Sequence, residues 1–180
     1  MKHFILGVIT PLVVLVAGLF FYLRMGFAEV RTDVPAPRWE SALMSGAVHA
    51  SVRRHAPEMR NPVEPTDQNL IAGGRSFLSE CSGCHGTPGK PDDDTSDSLY
   101  PPVPQFDKVG TQYTEAQVFW VAKHGIRHSG MFANGKWDSD EKLWTIAAYI
   151  KRMGALPPAV KEGLQQKPPD AVGSKDSGKS

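Results

Sequence analysis

Cys81 and Cys84 lie three positions apart, and His85 follows the second of them directly. Two thiols at this spacing with an imidazole next in the chain form the attachment signature of a c-type haem. Each thiol adds to one porphyrin vinyl group, and the short Ser82-Gly83 insert lets both reach neighbouring edges of a single ring. His85 then falls beneath the iron and supplies its proximal nitrogen. Two other chemistries use the same residue types. A thioredoxin-like redox pair belongs in a βαβ pattern, and none surrounds this motif. A structural zinc site takes four ligands, and the chain has no third cysteine. The pattern points to one covalently attached haem c.

An iron held by one histidine has a sixth position, and its occupant decides what the iron does. His124, His128 and Met131 fall on one short segment, far enough past His85 to fold over the opposite haem face. Met131 follows Gly130, which lets the backbone approach the ring. A thioether is a soft ligand that favours Fe(II) and raises the potential. Met131 is therefore the first candidate and His128 the second. Met59, Met153, His49 and His55 stand further off.

These groups need elements to position them. Thr66 or Asp67 can cap a helix running towards Glu80, with Leu70, Gly73, Phe77 and Leu78 on one face and Cys81 at its end. Gly73 and Gly74 each cost about 1 kcal/mol against alanine in a helix, a cost that the close approach of another helix would explain. After Gly86 comes a long loop. Its Asp92-Asp93-Asp94 run reads as a solvated bulge, and Tyr100 with Pro101, Pro102 and Pro104 reads as a rigid wall. Thr114 and Gln117 make a capping box for a helix through Val118, Phe119 and Ala122, closed by Gly125. A last helix begins at Asp138 or Ser139. Leu143, Ile146, Ala147 and Ile150 form its apolar face, with Trp144 and Tyr149 as bulky flanks. There is no strand pattern and no internal repeat.

The chain of 180 residues has room for one domain of about 100 residues plus appendages. Residues 4–23 carry no charge, which meets the roughly 20-residue requirement for a membrane-spanning helix. A cleaved signal peptide has a shorter apolar run, so an uncleaved anchor is expected. Arg24, Arg31 and Arg38 against Lys2 lean against export of the C-terminal part of the chain. The signal-like N-terminus and the usual site of haem attachment outside the cytoplasmic membrane outweigh them. In the linker, Trp39, Leu43, Ala47, Ala50 and Val52 follow a helical spacing. This segment is either an amphipathic helix, lying on the haem domain or on lipid, or a mobile linker. Its His49 and His55 read as solvated. The expected organisation is an anchor at 1–24, a linker at 25–65, a haem domain at 66–155 and a disordered tail at 156–180. Formal net charge is +1, and residues 66–155 hold nine Lys/Arg against eleven Asp/Glu. That balance gives no reason to expect nucleic acid and names no partner. Both cysteines are spent in the motif, so no disulfide staples the fold.

The strings GGRSFLSECSGCHG, YPPVPQF, GIRHSGMFANGKW and LWTIAAYIKRM together resemble a class I cytochrome c from Thr66 to about Gly154. The N-terminal anchor, NPV and FWVAKHGIRHSGM resemble small bacterial membrane-anchored monohaem c-type cytochromes. The resemblance implies an all-α, class I cytochrome c-like helical haem domain preceded by one N-terminal transmembrane helix. It implies that Gly73 and Phe77 meet Tyr149 where the terminal helices cross. It also implies a proline carbonyl behind His85, from Pro101, Pro102 or Pro104, and places Trp137 near a haem propionate. Phe132 stands where many members have proline, and His128 where an apolar residue or methionine is common. The implied role is electron transfer rather than enzymatic catalysis. Single electrons would pass between a redox protein donor and acceptor, with no small-molecule substrate. The implied location is the inner membrane of a bacterium, single-pass, with the haem domain on the periplasmic side. Two alternatives are a non-catalytic haem subunit of a larger oxidase or dehydrogenase, and an open-site haem sensor or peroxidase.

Overall fold

A computed structural model describes residues 2–166. The chain divides into two compact units between Pro35 and Ala36. The first contains α1 (Lys2–Arg24), whose stretch Gly7–Arg24 is long and apolar enough to cross a membrane. Its side chains from Val8 to Leu23 are exposed.

The second unit is helical throughout, with no strand among the described residues. Its elements are α2 (Arg38–His55), α3 (Asp67–Glu80), α4 (Ser82–His85), α5 (Asp93–Asp97), α6 (Phe106–Val109), α7 (Glu115–His124), α8 (Asp140–Arg152) and α9 (Pro158–Gln165). Two single 3₁₀ turns, Asn134–Lys136 and Met153–Ala155, flank α8. The helices start where local chemistry satisfies their first N–H groups. Thr66 accepts from Asn69 N, Ser139 from Lys142 N, and Thr114 and Gln117 complete a reciprocal capping box on α7.

The core lies where α8 passes between α3 and α7. Every residue from Leu143 to Ile150 is buried, including Trp144 and Tyr149. Both were expected at the margins of one apolar face. With α3 on one side and α7 on the other, α8 has no solvent face along those two turns. Trp144 stacks on Phe119 of α7 with ring centroids 4.1 Å apart. The α3–α8 crossing is closer than ordinary helix packing. A Cβ on Gly73 would lie 2.2 Å from the Thr145 carbonyl oxygen, and one on Gly74 would lie 2.8 Å from the Tyr149 ring. Phe77 meets Tyr149 as expected, at 5.6 Å between centroids. The glycine under the Tyr149 ring is Gly74 rather than Gly73, which instead admits the α8 backbone.

Two flanking segments are bound more firmly than their composition suggests. The linker helix α2 packs on α7, with Val52 buried, the His49 ring hydrogen-bonded to the Tyr113 hydroxyl at 2.6 Å, and His55 stacked on Trp120. Asn61 ties the following segment down, donating to Glu115 at 2.6 Å and to the Trp144 carbonyl at 3.0 Å. The tail expected to be disordered from residue 156 instead forms α9 against α3; residues 167–180 of that tail lie outside the described residues. Pro158 does not break this helix but starts it, at a position where its missing N–H costs nothing. Val160 is fully buried, Leu164 covers Gly74, and Arg75 caps the helix end by donating to the Gly163 and Gln166 carbonyls. Val160→Ala should therefore lower stability by about 2 kcal/mol, from two lost methyl groups and the cavity they leave. The denaturant midpoint reads this directly, and an unchanged midpoint would mean that α9 adds nothing to the core.

Candidate functional site

The Cys81–His85 stretch is delivered by α3 and closed by one further turn. Cys81 N donates to the Phe77 carbonyl at 2.8 Å, and His85 N donates to the Cys81 carbonyl at 3.0 Å, so the helical path runs on through α4. Gly86, at φ +71°, ends it. No side chain fits there, because a Cβ would stand 2.6 Å from Gln105 Oε1 and 2.8 Å from the Pro91 backbone.

His85 is oriented from behind. Its Nδ1 lies 3.0 Å from the Pro104 carbonyl oxygen. A carbonyl only accepts, so Nδ1 carries the proton and Nε2 is left with its lone pair free to bind a metal. Of the three prolines that qualified by position, Pro104 is the one that backs His85. The ring is packed against Phe106, with centroids 4.8 Å apart and planes within 10°, and Phe77 lies beside it, tilted by 45° at 6.5 Å. Burial lowers the imidazole pKa, and the Pro104 hydrogen bond opposes this only in part. The ring is thus held neutral, the state that a metal ligand requires.

Gln105 is a positioning residue that the residue pattern did not reveal. It is buried, its Nε2 donates to the Cys84 carbonyl at 2.9 Å, and its Oε1 accepts from Asp92 N at 2.8 Å. One amide thus ties the cysteine turn to the loop that carries Pro104. The only sequence signal is its place next to that proline. Asp92 is not simply part of a solvated run either, since it caps α5 by accepting from Thr95 N at 3.1 Å.

The two thiols differ. Cys84 is exposed, whereas Cys81 borders the core and has its pKa pushed up to about 11 by burial, with Glu80 and Asp138 adding to the effect. A redox-active thiol needs the opposite shift, because the thiolate is the reacting species. No group of three or more His, Cys, Asp and Glu side chains is gathered to hold a bare metal ion among the described residues. The geometry thus disfavours both the thioredoxin-like and the zinc chemistries.

Met131 lies half-buried against the same core that Cys81 and Phe106 border. Its loop is fixed at several points. Met131 N donates to Ser129 Oγ at 3.1 Å, Ile126 N donates to the Met131 carbonyl at 2.9 Å, and Asn134 Nδ2 donates to the Ala122 carbonyl at 3.0 Å. Gly125, at φ +67°, lets this loop fold back, since a Cβ there would meet the Met131 carbonyl oxygen at 2.7 Å. Gly130 faces the Leu99 side chain, so the Met131 loop lies beside the residue that precedes the Tyr100–Pro104 wall. The other candidates for a sixth ligand are placed differently. His124, His128, His49, His55 and Met59 are exposed, and Met153 is buried inside the core. His128 holds a left-handed backbone at φ +59°.

These residues fit a covalently held haem. Two thiols and one imidazole with a free nitrogen come from the single stretch Cys81–His85, and the Met131 side chain borders the core that Cys81 also borders. The Tyr100 hydroxyl is buried with no partner among the described residues, as befits a polar group whose partner is a bound molecule. Trp137 and Phe132 are exposed beside each other, with centroids 5.9 Å apart.

Residues 68–150 match the family model described as cytochrome c oxidase, cbb3-type, subunit III. No curated protein and no solved structure matches the chain.

Proposed function

We propose that the whole chain, whose residues 68–150 are a class I cytochrome c domain that binds haem c covalently, is a membrane-anchored, single-haem electron carrier. Cys81 and Cys84 would hold the group by thioethers, and His85 Nε2 and the Met131 sulfur would be its two iron ligands. When bound, haem supplies the one-electron Fe(III)/Fe(II) couple. The protein does the rest. Pro104 and Gln105 fix the His85 ring and the cysteine turn, Phe77 and Phe106 exclude water from behind it, and the pinned Met131 loop would supply the second ligand sulfur. Ligands held equally firmly in both oxidation states reorganise little when an electron moves. The observation that carries this reading is the His85–Pro104 hydrogen bond at 3.0 Å, which prepares one nitrogen for iron.

The apolar helix α1 anchors the chain in the inner membrane of a bacterium, with the haem domain on the periplasmic side. Tethering raises the effective concentration of the haem near membrane complexes without a strong docking surface. The carrier has no catalytic residues of its own.

The absorption spectrum of the purified chain, oxidised and reduced, with carbon monoxide added to the reduced form, tests the ligand set. A weak far-red sulfur-to-iron band and little response to carbon monoxide are expected. Ready binding of carbon monoxide would mean an open iron and would replace the carrier with a sensor or peroxidase. Absence of both the band and carbon monoxide binding would point to His128. The matched family model is described as an oxidase subunit, which supports a second reading in which this chain is a haem subunit of a larger oxidase. Mild solubilisation separates the two. A carrier leaves the membrane alone, whereas a subunit co-purifies in fixed ratio with other chains.

A further inference from the structure

We propose that α2 is a second membrane contact, lying on the lipid surface with its Trp39–Leu43 stripe in the headgroup region while its other side holds the haem domain. This rests on the reading of α1 as an anchor.

The two sides of α2 are differently occupied. At 100° per residue, Ser41, Val48, Val52 and His55 fall on one side. That side is the one covered, with Val52 buried and Ser41, Val48 and Ser51 partly buried, while His55 stacks on Trp120. Trp39, Leu43, Ala47 and Ala50 fall on the opposite side and are all exposed. Trp39 is 69% and Leu43 62% exposed. Nothing in the domain needs these side chains, since the inner side already holds α2 to α7.

Lipid is the occupant that the surroundings favour. Met25 to Pro37 are the only residues between α1 and α2, a connection that reaches at most about 45 Å, so α2 stays within reach of the bilayer that α1 enters. Arg38 opens the helix and Arg53 and Arg54 close it, against the single acid Glu40. An apolar stripe with tryptophan at one end and arginines at both ends matches a helix lying flat on a surface with anionic headgroups. Seated so, α2 would restrict the haem domain to a narrow range of orientations above the membrane.

Nitroxide depth measurements on the full-length holoprotein test this. With both native cysteines in thioethers, Leu43→Cys, Ser45→Cys and Leu15→Cys each provide a single labelling site. Each is reconstituted in vesicles of equimolar phosphatidylcholine and phosphatidylglycerol and probed with oxygen and with a water-soluble nickel chelate. The label at 43 should collide freely with oxygen and several-fold less with nickel than the label at 45, which projects 200° away around the helix. The label at 15 should be the most protected from nickel while open to oxygen. If 43 is as open to nickel as 45 while 15 is in the bilayer, the stripe does not touch lipid and the proposal fails with the anchor intact. If 43 is shielded from both probes, protein covers it, as a second copy or a partner subunit, and the proposal fails. If 15 itself is open to nickel, the anchor reading is wrong and the proposal falls with it.

Discussion

Met131→Ala should abolish the far-red sulfur-to-iron band, open the iron to carbon monoxide and lower the midpoint potential. The fall should be on the order of 0.2 V, a part of the ~0.8 V range that axial ligation spans. A thioether stabilises Fe(II) by soft donation, and water or an empty site does not replace that. The loop should survive the substitution. Its hydrogen bonds run through Met131 N, the Met131 carbonyl and Asn134, none of which involves the thioether. The backbone of the loop is therefore expected to keep its path while the coordination changes, with a loss of stability limited to the Met131 packing and the iron–sulfur bond. Met153→Leu is the matched control. That methionine is buried in the core, where a volume-conserving exchange costs under about 1.5 kcal/mol and should leave the spectrum untouched. If the variant refuses carbon monoxide while its potential falls, His128 has taken the position, and Met131→Ala with His128→Ala should then open the iron. Persistence of the far-red band in Met131→Ala would end the assignment of Met131.

What could be read from the sequence divides along the range of the interactions. Cys81, Cys84 and His85 stand out as candidates in the sequence because attachment chemistry demands them within five consecutive residues. The caps at Thr66, Thr114 with Gln117, and Ser139 were legible for the same reason, since a cap acts three residues away. The choice of Pro104 over Pro101 and Pro102 was not, because it depends on how a loop nineteen residues downstream folds over His85. Gln105 was hidden more deeply. A glutamine in a proline-rich loop looks solvated, and only the folded chain shows its amide joining the Cys84 carbonyl to Asp92 N. α9 was missed because the tail, rich in Pro, Lys, Gly and Ser, reads as having little to bury, although Val160 and Leu164 are spaced i, i+4 for one helical face. The linker helix was legible as a periodicity, but its inner partner was not, because the His49–Tyr113 contact joins residues 64 apart.

Gly73→Ala should lower stability by about 3 kcal/mol, which is a fall of roughly 10 °C in melting temperature for a domain of this size. At an ordinary helical site the same exchange would stabilise by about 1 kcal/mol, so the sign itself is diagnostic. The new methyl group would lie 2.2 Å from the Thr145 carbonyl oxygen and 2.5 Å from its carbon, both of them backbone atoms of α8. No rotamer change can relieve such a clash. α3 and α8 must move apart by roughly an ångström, and interhelical contacts lose much of their dispersion energy over that distance. Gly74→Ala provides the comparison. Its methyl group would meet the end of the flexible Leu164 side chain and the Tyr149 ring, both at 2.8 Å. Leu164 can turn aside at the expense of α9, so a smaller loss of about 1 kcal/mol is expected. The larger effect should also reach the haem. Phe77 lies one turn beyond Gly73 and Cys81 two turns beyond, and the rings of Tyr149, Phe77 and His85 form a continuous series at 5.6 and 6.5 Å. Widening the crossing displaces that series, and a shifted far-red band in folded Gly73→Ala should report it at low temperature. A melting temperature within a degree or two of the parent would instead mean that the α3–α8 crossing yields freely, and that the glycine pair is not what sets the distance between the helix carrying the cysteines and the helix behind it.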